Sequence, residues 1–169
     1  MTLLASLLVL FLAGCSEMVG QSFILFVNRV PLRRFALCLV AGGLFSVFSV
    51  SLWTLSIWIL ANFFTRATLV SVFVVVSLGH APRILGALAV IPHFGLWLAR
   101  LLRIYVFLAV VAGIGWQFEL TFWQSLVCCT YGGLVEAAAS YLRLFGLEDL
   151  QDRLWSWASG AEGPWPSVP

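Results

Sequence analysis

The stretch Gly79-His80-Ala81-Pro82-Arg83, followed by Ile91-Pro92-His93-Phe94-Gly95, decides how this chain is read. It sets a proline and an arginine inside an apolar run, then a second proline and a glycine where that run should end. A proline ring removes one helical hydrogen bond and clashes with the preceding turn. In lipid the freed backbone groups must be satisfied by neighbouring protein. A broken or kinked helix at Pro82, Pro92 and Gly95, packed inside a bundle, is therefore expected.

The composition agrees with a membrane setting. The 169 residues are 62% hydrophobic and only 9% charged, against about 25% charged in soluble domains. All nine basic residues are arginine and they are scattered, so no nucleic-acid face is expected. Cys15, Cys38, Cys128 and Cys129 show neither C-x-x-C nor Cys/His spacing. They read as small buried hydrophobes, not as a disulfide framework or metal site.

Outward from the centre, the apolar runs divide the chain. Residues 3–13 are too short to span alone, since a crossing needs about 20 residues. Extended to Val27 the run suffices, and Glu17, Gln21 and Asn28 then share one helical face. An interfacial helix over 16–28 is the alternative. Leu12-Ala13-Gly14-Cys15 also looks like a bacterial lipobox, but no Lys or Arg precedes the apolar run as a secretory signal requires. Phe35 to Ala61 is a long span, with Trp53 and Trp58 expected as interface anchors. Gly42, Gly43, Ser46, Ser49 and Ser51 offer small residues for close helix contact. Thr68 to Ile91, Leu101 to Trp116 and Thr121 to Leu142 follow, with Trp116 and Trp123 bracketing the last loop.

The arginines choose between five spans and six. With five, Arg29, Arg33, Arg34, Arg100, Arg103, Arg143 and Arg153 fall on one side, Arg66 on the other, and Arg83 within the membrane. With six the bias disappears. Cytoplasmic loops carry the excess of basic residues, so five spans with a cytoplasmic C-terminus are expected. The predicted fold is an all-α integral membrane protein. Residues 1–145 form a bundle of five transmembrane helices, the third kinked at Pro82. Residues 146–169 form a cytoplasmic tail, with an amphipathic helix through Leu147, Leu150, Leu154 and Trp157 and a Gly/Pro-rich end.

The pattern Ala81-Pro82-x-x-Leu85, then Ile91-Pro92-x-x-Gly95, then Leu101-x-x-Ile104-Tyr105 opening a span, resembles the Yip-domain family over about residues 20–142. Those are small five-span proteins first known as partners of Rab-type GTPases on vesicle membranes, with many bacterial members. The resemblance implies a membrane scaffold or adaptor working through protein–protein contacts in the bilayer. Eukaryotic members carry a long soluble segment before the first span. The short start and the LAGC sequence here lead to the expectation of a bacterial member in an inner or thylakoid membrane, without Rab-type partners.

Other readings remain open. His80 and His93 could ligate a haem or chlorophyll in an accessory subunit of a bioenergetic or photosynthetic complex. The structural alternative is hydrogen bonding to backbone freed at the breaks, with no cofactor. Glu17, Arg83 and Glu136 are the intramembrane ionisable residues. They could line a path in a small transporter or channel subunit, or lock helices together. Arg83 and Glu136 fall at similar depth in the third and fifth spans and are the expected charge pair, with Glu17 as the next candidate partner. No catalytic motif is present, so no enzyme is expected. The expected partners are the lipid bilayer and other membrane proteins.

Overall fold

A computed structural model describes residues 3–21, 32–91 and 94–141. Those residues form helices and turns, with no strand among them. They are α1 (Leu3–Gln21), α2 (Leu32–Ala61), α3 (Leu69–Gly79), a 3-10 helix (Ala81–Val90), α4 (Gly95–Phe118) and α5 (Phe122–Tyr141). Phe35–Ala61, Leu69–Leu88 and Trp97–Phe118 are each long and apolar enough to cross a membrane, and Leu3–Val19 is a shorter apolar helix. Asn28, Pro92, His93 and the tail from 142 lie outside the described residues.

The helix ends follow local chemistry. Thr68 caps α3, its hydroxyl accepting from the Ser71 N–H at 3.3 Å. Thr121 and Gln124 cap α5 reciprocally. The Thr121 N–H donates to Gln124 Oε1 at 2.9 Å, and the Gln124 N–H to Thr121 Oγ1 at 3.4 Å, as in a capping box. Between them α4 stops at Glu119, which takes the left-handed conformation at φ 53°. Trp116, 89% exposed, stands beside this turn with the exposed Phe122 and Trp123, an arrangement that suits an aromatic belt.

The core is one stripe from each helix. In α2 it runs through Val50, Trp53, Ile57 and Ala61, at spacings of three and four. Leu10 of α1, Val72 and Val76 of α3, Val106, Val110, Val111 and Ile114 of α4, and Cys128 and Cys129 of α5 complete it. The outward faces stay apolar, with Leu44, Phe48, Leu55 and Ile59 exposed on α2. Hydroxyls within the apolar helices bond their own backbone one turn back. Thr54 donates to Val50 C=O at 2.7 Å and Ser77 to Phe73 C=O at 2.6 Å.

The α1–α2 seam is made by small residues. A Cβ on Gly14 would lie 2.9 Å from both the Gly42 carbonyl oxygen and the Gly43 Cα. Those are backbone atoms and cannot turn aside. Beside them the Cys15 thiol reaches the Leu39 carbonyl at 3.4 Å. With Leu10 and Ala13 fully buried, the residues before Cys15 are part of the packed bundle. Gly14→Val should push α1 off α2 and cost about 1–3 kcal/mol by overpacking. Thermal unfolding in detergent checks this, and an unchanged midpoint would mean that α1 does not dock so closely.

Two expectations, for Trp53 and for the start of the fourth helix, need correction. Trp53 is not an interface anchor. It is 7% exposed and its indole N–H donates to the Cys129 carbonyl at 3.1 Å. Trp58 is only partly buried, and its N–H donates across the turn to Ala67 C=O at 2.9 Å. The fourth helix begins at Gly95 rather than Leu101, so Arg100 and Arg103 sit exposed in its early turns. Arginine permits this because its long stem can carry the charge towards the interface.

Candidate functional site

The chain's unusual local geometry lies between His80 and Val90. The His80 N–H is shared between the Val76 and Ser77 carbonyls at 3.2 and 3.1 Å, so the α-helical ladder tightens there. The Arg83 N–H then donates to the His80 carbonyl at 2.9 Å, a 3-10 bond that spans Pro82. Pro82 stands in the first turn of the new helix, where its missing N–H costs little. The winding thus changes from α to 3-10 at Pro82.

His80 is 2% exposed. Its Nδ1 lies 2.8 Å from the Val76 carbonyl. A carbonyl only accepts, so Nδ1 carries the proton. The Trp53 indole meets the imidazole edge-on, ring centres 5.4 Å apart. This is the backbone-bonded role weighed for His80 in the sequence. Among the described residues no group of three His, Cys, Asp or Glu is placed to hold a metal ion.

On the 3-10 helix, α1 makes a polar junction. The Ser16 hydroxyl donates to the Ile84 carbonyl at 2.6 Å and accepts from the Ala87 N–H at 2.8 Å. Ile84 and Ala87 are three residues apart, so their groups would otherwise close a 3-10 bond with one another. The hydroxyl is inserted into the ladder. One residue on, Glu17 Oε1 lies 3.6 Å from Arg83 Nε. That is ion-pair distance but too long for a hydrogen bond, and Arg83 Nε is buried without a hydrogen-bond partner. The two side chains remain 24% and 36% accessible. Gly86 makes the approach possible, since a Cβ there would meet Glu17 Cγ at 3.2 Å and the α1 backbone at 3.5 Å.

Of the residues picked out in the sequence, the structure brings together Glu17, Arg83 and the Pro82 break. His80 stands one turn away, in the Trp53 contact. Gly95 is buried at the start of α4 and donates its N–H to the Ile91 carbonyl at 2.8 Å. Pro92, His93 and the Glu136 side chain lie outside the described residues. Arg83 therefore has Glu17 as its described partner. Sequence reasoning missed Ser16, Gly86 and Ala87. The adjacency of Ser16 to Glu17 was the available signal, and serine is too common in apolar helices to stand out.

The junction holds two complementary charges and a doubly bonded hydroxyl between helices. Its chemistry is that of a clasp between α1 and the 3-10 helix. No family model matches this chain, and neither a curated protein nor a solved structure matches it.

Proposed function

We propose that the chain is a non-enzymatic integral membrane protein, a scaffold or adaptor resembling Yip-domain proteins, that works through protein contacts in the bilayer. One observation carries this reading. Two groups of polar side chains join helices to one another: Ser16, Glu17 and Arg83 at one junction, and at another Trp53, which donates to the Cys129 carbonyl and stands edge-on to His80. The outward faces are apolar, with Leu44, Trp97 and Leu108 exposed, and lipid or partner helices would cover them. Photo-crosslinking amino acids at Leu44 and Leu108, activated in native membranes, should give discrete protein adducts. Adducts with lipid alone would overturn the reading.

A second reading rests on the partial exposure of Glu17 and Arg83, which would suit a polar path in a small transporter or channel subunit. Ion flux in proteoliposomes that is lost in Glu17→Gln would favour it over the scaffold.

The proposed topology has five crossings, with α1 and α5 joining the three longer spans, and the tail in the cytoplasm of a bacterial inner or thylakoid membrane. The distribution of arginines supports it: Arg33, Arg100 and Arg103 fall at one end of the helices and Arg66 at the other. Reporter fusions after Arg66 and after Trp157 should report opposite sides. The same side for both would remove the five-span arrangement.

A further inference from the structure

We propose that Arg100 and Arg103, in the early turns of α4, form a site for the phosphate of one anionic phospholipid. This deepens the proposed membrane setting, on which it rests, and does not depend on the scaffold role. The first support is where the two side chains stand. Val106, Val110 and Ile114 form a buried line along α4 at spacings of four. Arg103 and Arg100 continue that line backwards at spacings of three, on the same helix face. Both are exposed. The inward face of α4 therefore opens at this level, and two cations line the opening.

The second support is that the described carboxylate side chains, Glu17 and Glu119, are engaged elsewhere. Glu17 lies 3.6 Å from Arg83, and Glu119 closes the opposite end of α4. Among the described residues neither Arg100 nor Arg103 has an ion-pair or hydrogen-bond partner. Residues three apart on a helix have Cβ atoms about 5–6 Å from one another, and like charges so placed repel. An anion held between the two guanidiniums removes that repulsion.

The third support is depth. Trp97 and Trp116 are both exposed and stand about 28 Å apart along the helix. That separation matches a hydrocarbon core of about 30 Å with an aromatic residue at each interface. Arg100 and Arg103 then lie about 4.5 and 9 Å inside the Trp97 level. Arg100 reaches the headgroups by extending its stem, whereas Arg103 is matched by a phosphate drawn down to it. The ligand chemistry follows. A guanidinium fork bonds phosphate oxygens bidentately, and basic sites between membrane helices hold anionic headgroups. A zwitterionic lipid brings its own ammonium to compete for the phosphate, so the occupant is an anionic glycerophospholipid.

The test is native mass spectrometry of the full-length protein in detergent, with phosphatidylglycerol and phosphatidylcholine at equal concentration. The native chain should retain one phosphatidylglycerol in preference to phosphatidylcholine. Arg100→Gln or Arg103→Gln should lower that preference about fivefold, and the two together more than tenfold. Arg33→Gln, exposed at the start of α2, should leave it unchanged. Arg100→Lys/Arg103→Lys keeps the charge without the fork and should fall between the native chain and the double glutamine variant. No preference in the native chain overturns the proposal, as does a double glutamine variant that keeps it. An equal loss in Arg33→Gln also overturns it, by assigning the preference to the general charge of that end. Inorganic phosphate should not displace the lipid, and displacement would overturn the lipid assignment in favour of a free anion. Should the double glutamine variant fail to fold, the single variants and the double lysine variant decide by the same comparison. Failure of all of them to fold would overturn the proposal, since the arginines would then serve the fold and not a ligand. A native chain that stays soluble without detergent would overturn the membrane reading and this site with it, whereas the other outcomes leave that reading standing.

Discussion

Trp53→Ala is expected to lower the unfolding free energy of the detergent-solubilised protein by about 2–4 kcal/mol, below the top of the range for Trp→Ala in soluble cores because lipid is as apolar as the core it replaces. The loss divides unequally. The indole N–H bond to the Cys129 carbonyl is worth about 0.6 kcal/mol on the average found for hydrogen bonds between membrane helices. The larger part is packing. The indole lies over Gly132, where a Cβ would come within 2.5 Å of Trp53 Cδ1, and its edge contact orients His80 at the end of α3. Removing it opens a cavity where α2, α3 and α5 meet. Trp53→Phe keeps most of the ring and gives up the N–H, so it should lose about 1–1.5 kcal/mol. Denaturant unfolding followed by helical circular dichroism separates the two variants. If Trp53→Ala costs under about 0.5 kcal/mol, as surface substitutions do, Trp53 is an interface residue after all.

That correction shows how far the sequence reaches. The long spans in α2 and α4 were legible because an apolar run of more than about 20 residues with few charges has little other use. Which side of such a helix faces inward was not legible, because α2 is apolar all round and a stripe stands out only against polar neighbours. A tryptophan near the end of a span then reads as a belt residue. The Val50, Trp53, Ile57 and Ala61 spacing that places it inside looks no different from the exposed Leu44, Phe48, Leu55 and Ile59 opposite. That the winding changes near Pro82 was legible as a position, since proline acts locally. The junction with α1 there was not, because the hydroxyl entering the ladder comes from Ser16, 68 residues from Ile84 and 71 from Ala87. The caps at Thr68 and Thr121 lie between these cases: their chemistry is local, but the start of α4 had to be set by backbone bonds from Gly95 and Leu98 to Ile91 and Phe94.

Arg83 and Glu17 should behave as a unit. Arg83→Ala would leave the Glu17 carboxylate against the 3-10 helix with no cation. Glu17→Ala would leave a guanidinium whose Nε already lacks a hydrogen-bond partner. A fully buried pair broken on one side costs about 3–5 kcal/mol. With 24% and 36% of these side chains accessible, water or lipid headgroups relieve part of that, and about 1–3 kcal/mol is expected for each single variant. The double variant Glu17→Ala/Arg83→Ala should be no worse than the worse single, because the uncompensated charge has gone. The excess over additivity, of about 0.5–3 kcal/mol for residues in contact, is the quantity to measure, by thermal unfolding in a mild detergent. Depth alone placed Glu136 level with Arg83. The element that bears Arg83, however, packs chiefly on α1 and α4, while α5, which bears Glu136, packs chiefly on α2 and α4. Arg83→Ala combined with Glu136→Ala should accordingly lose the sum of the two singles. Coupling in the Glu136 cycle and additivity in the Glu17 cycle would reverse the assignment and return Arg83 to Glu136. Arg83→Lys refines the result. A lysine keeps the charge but lacks the planar fork that spreads it between a carboxylate and nearby carbonyls. It should therefore fall between the native protein and Arg83→Ala, and matching Arg83→Ala instead would show that the guanidinium's shape, more than its charge, holds α1 to the 3-10 helix.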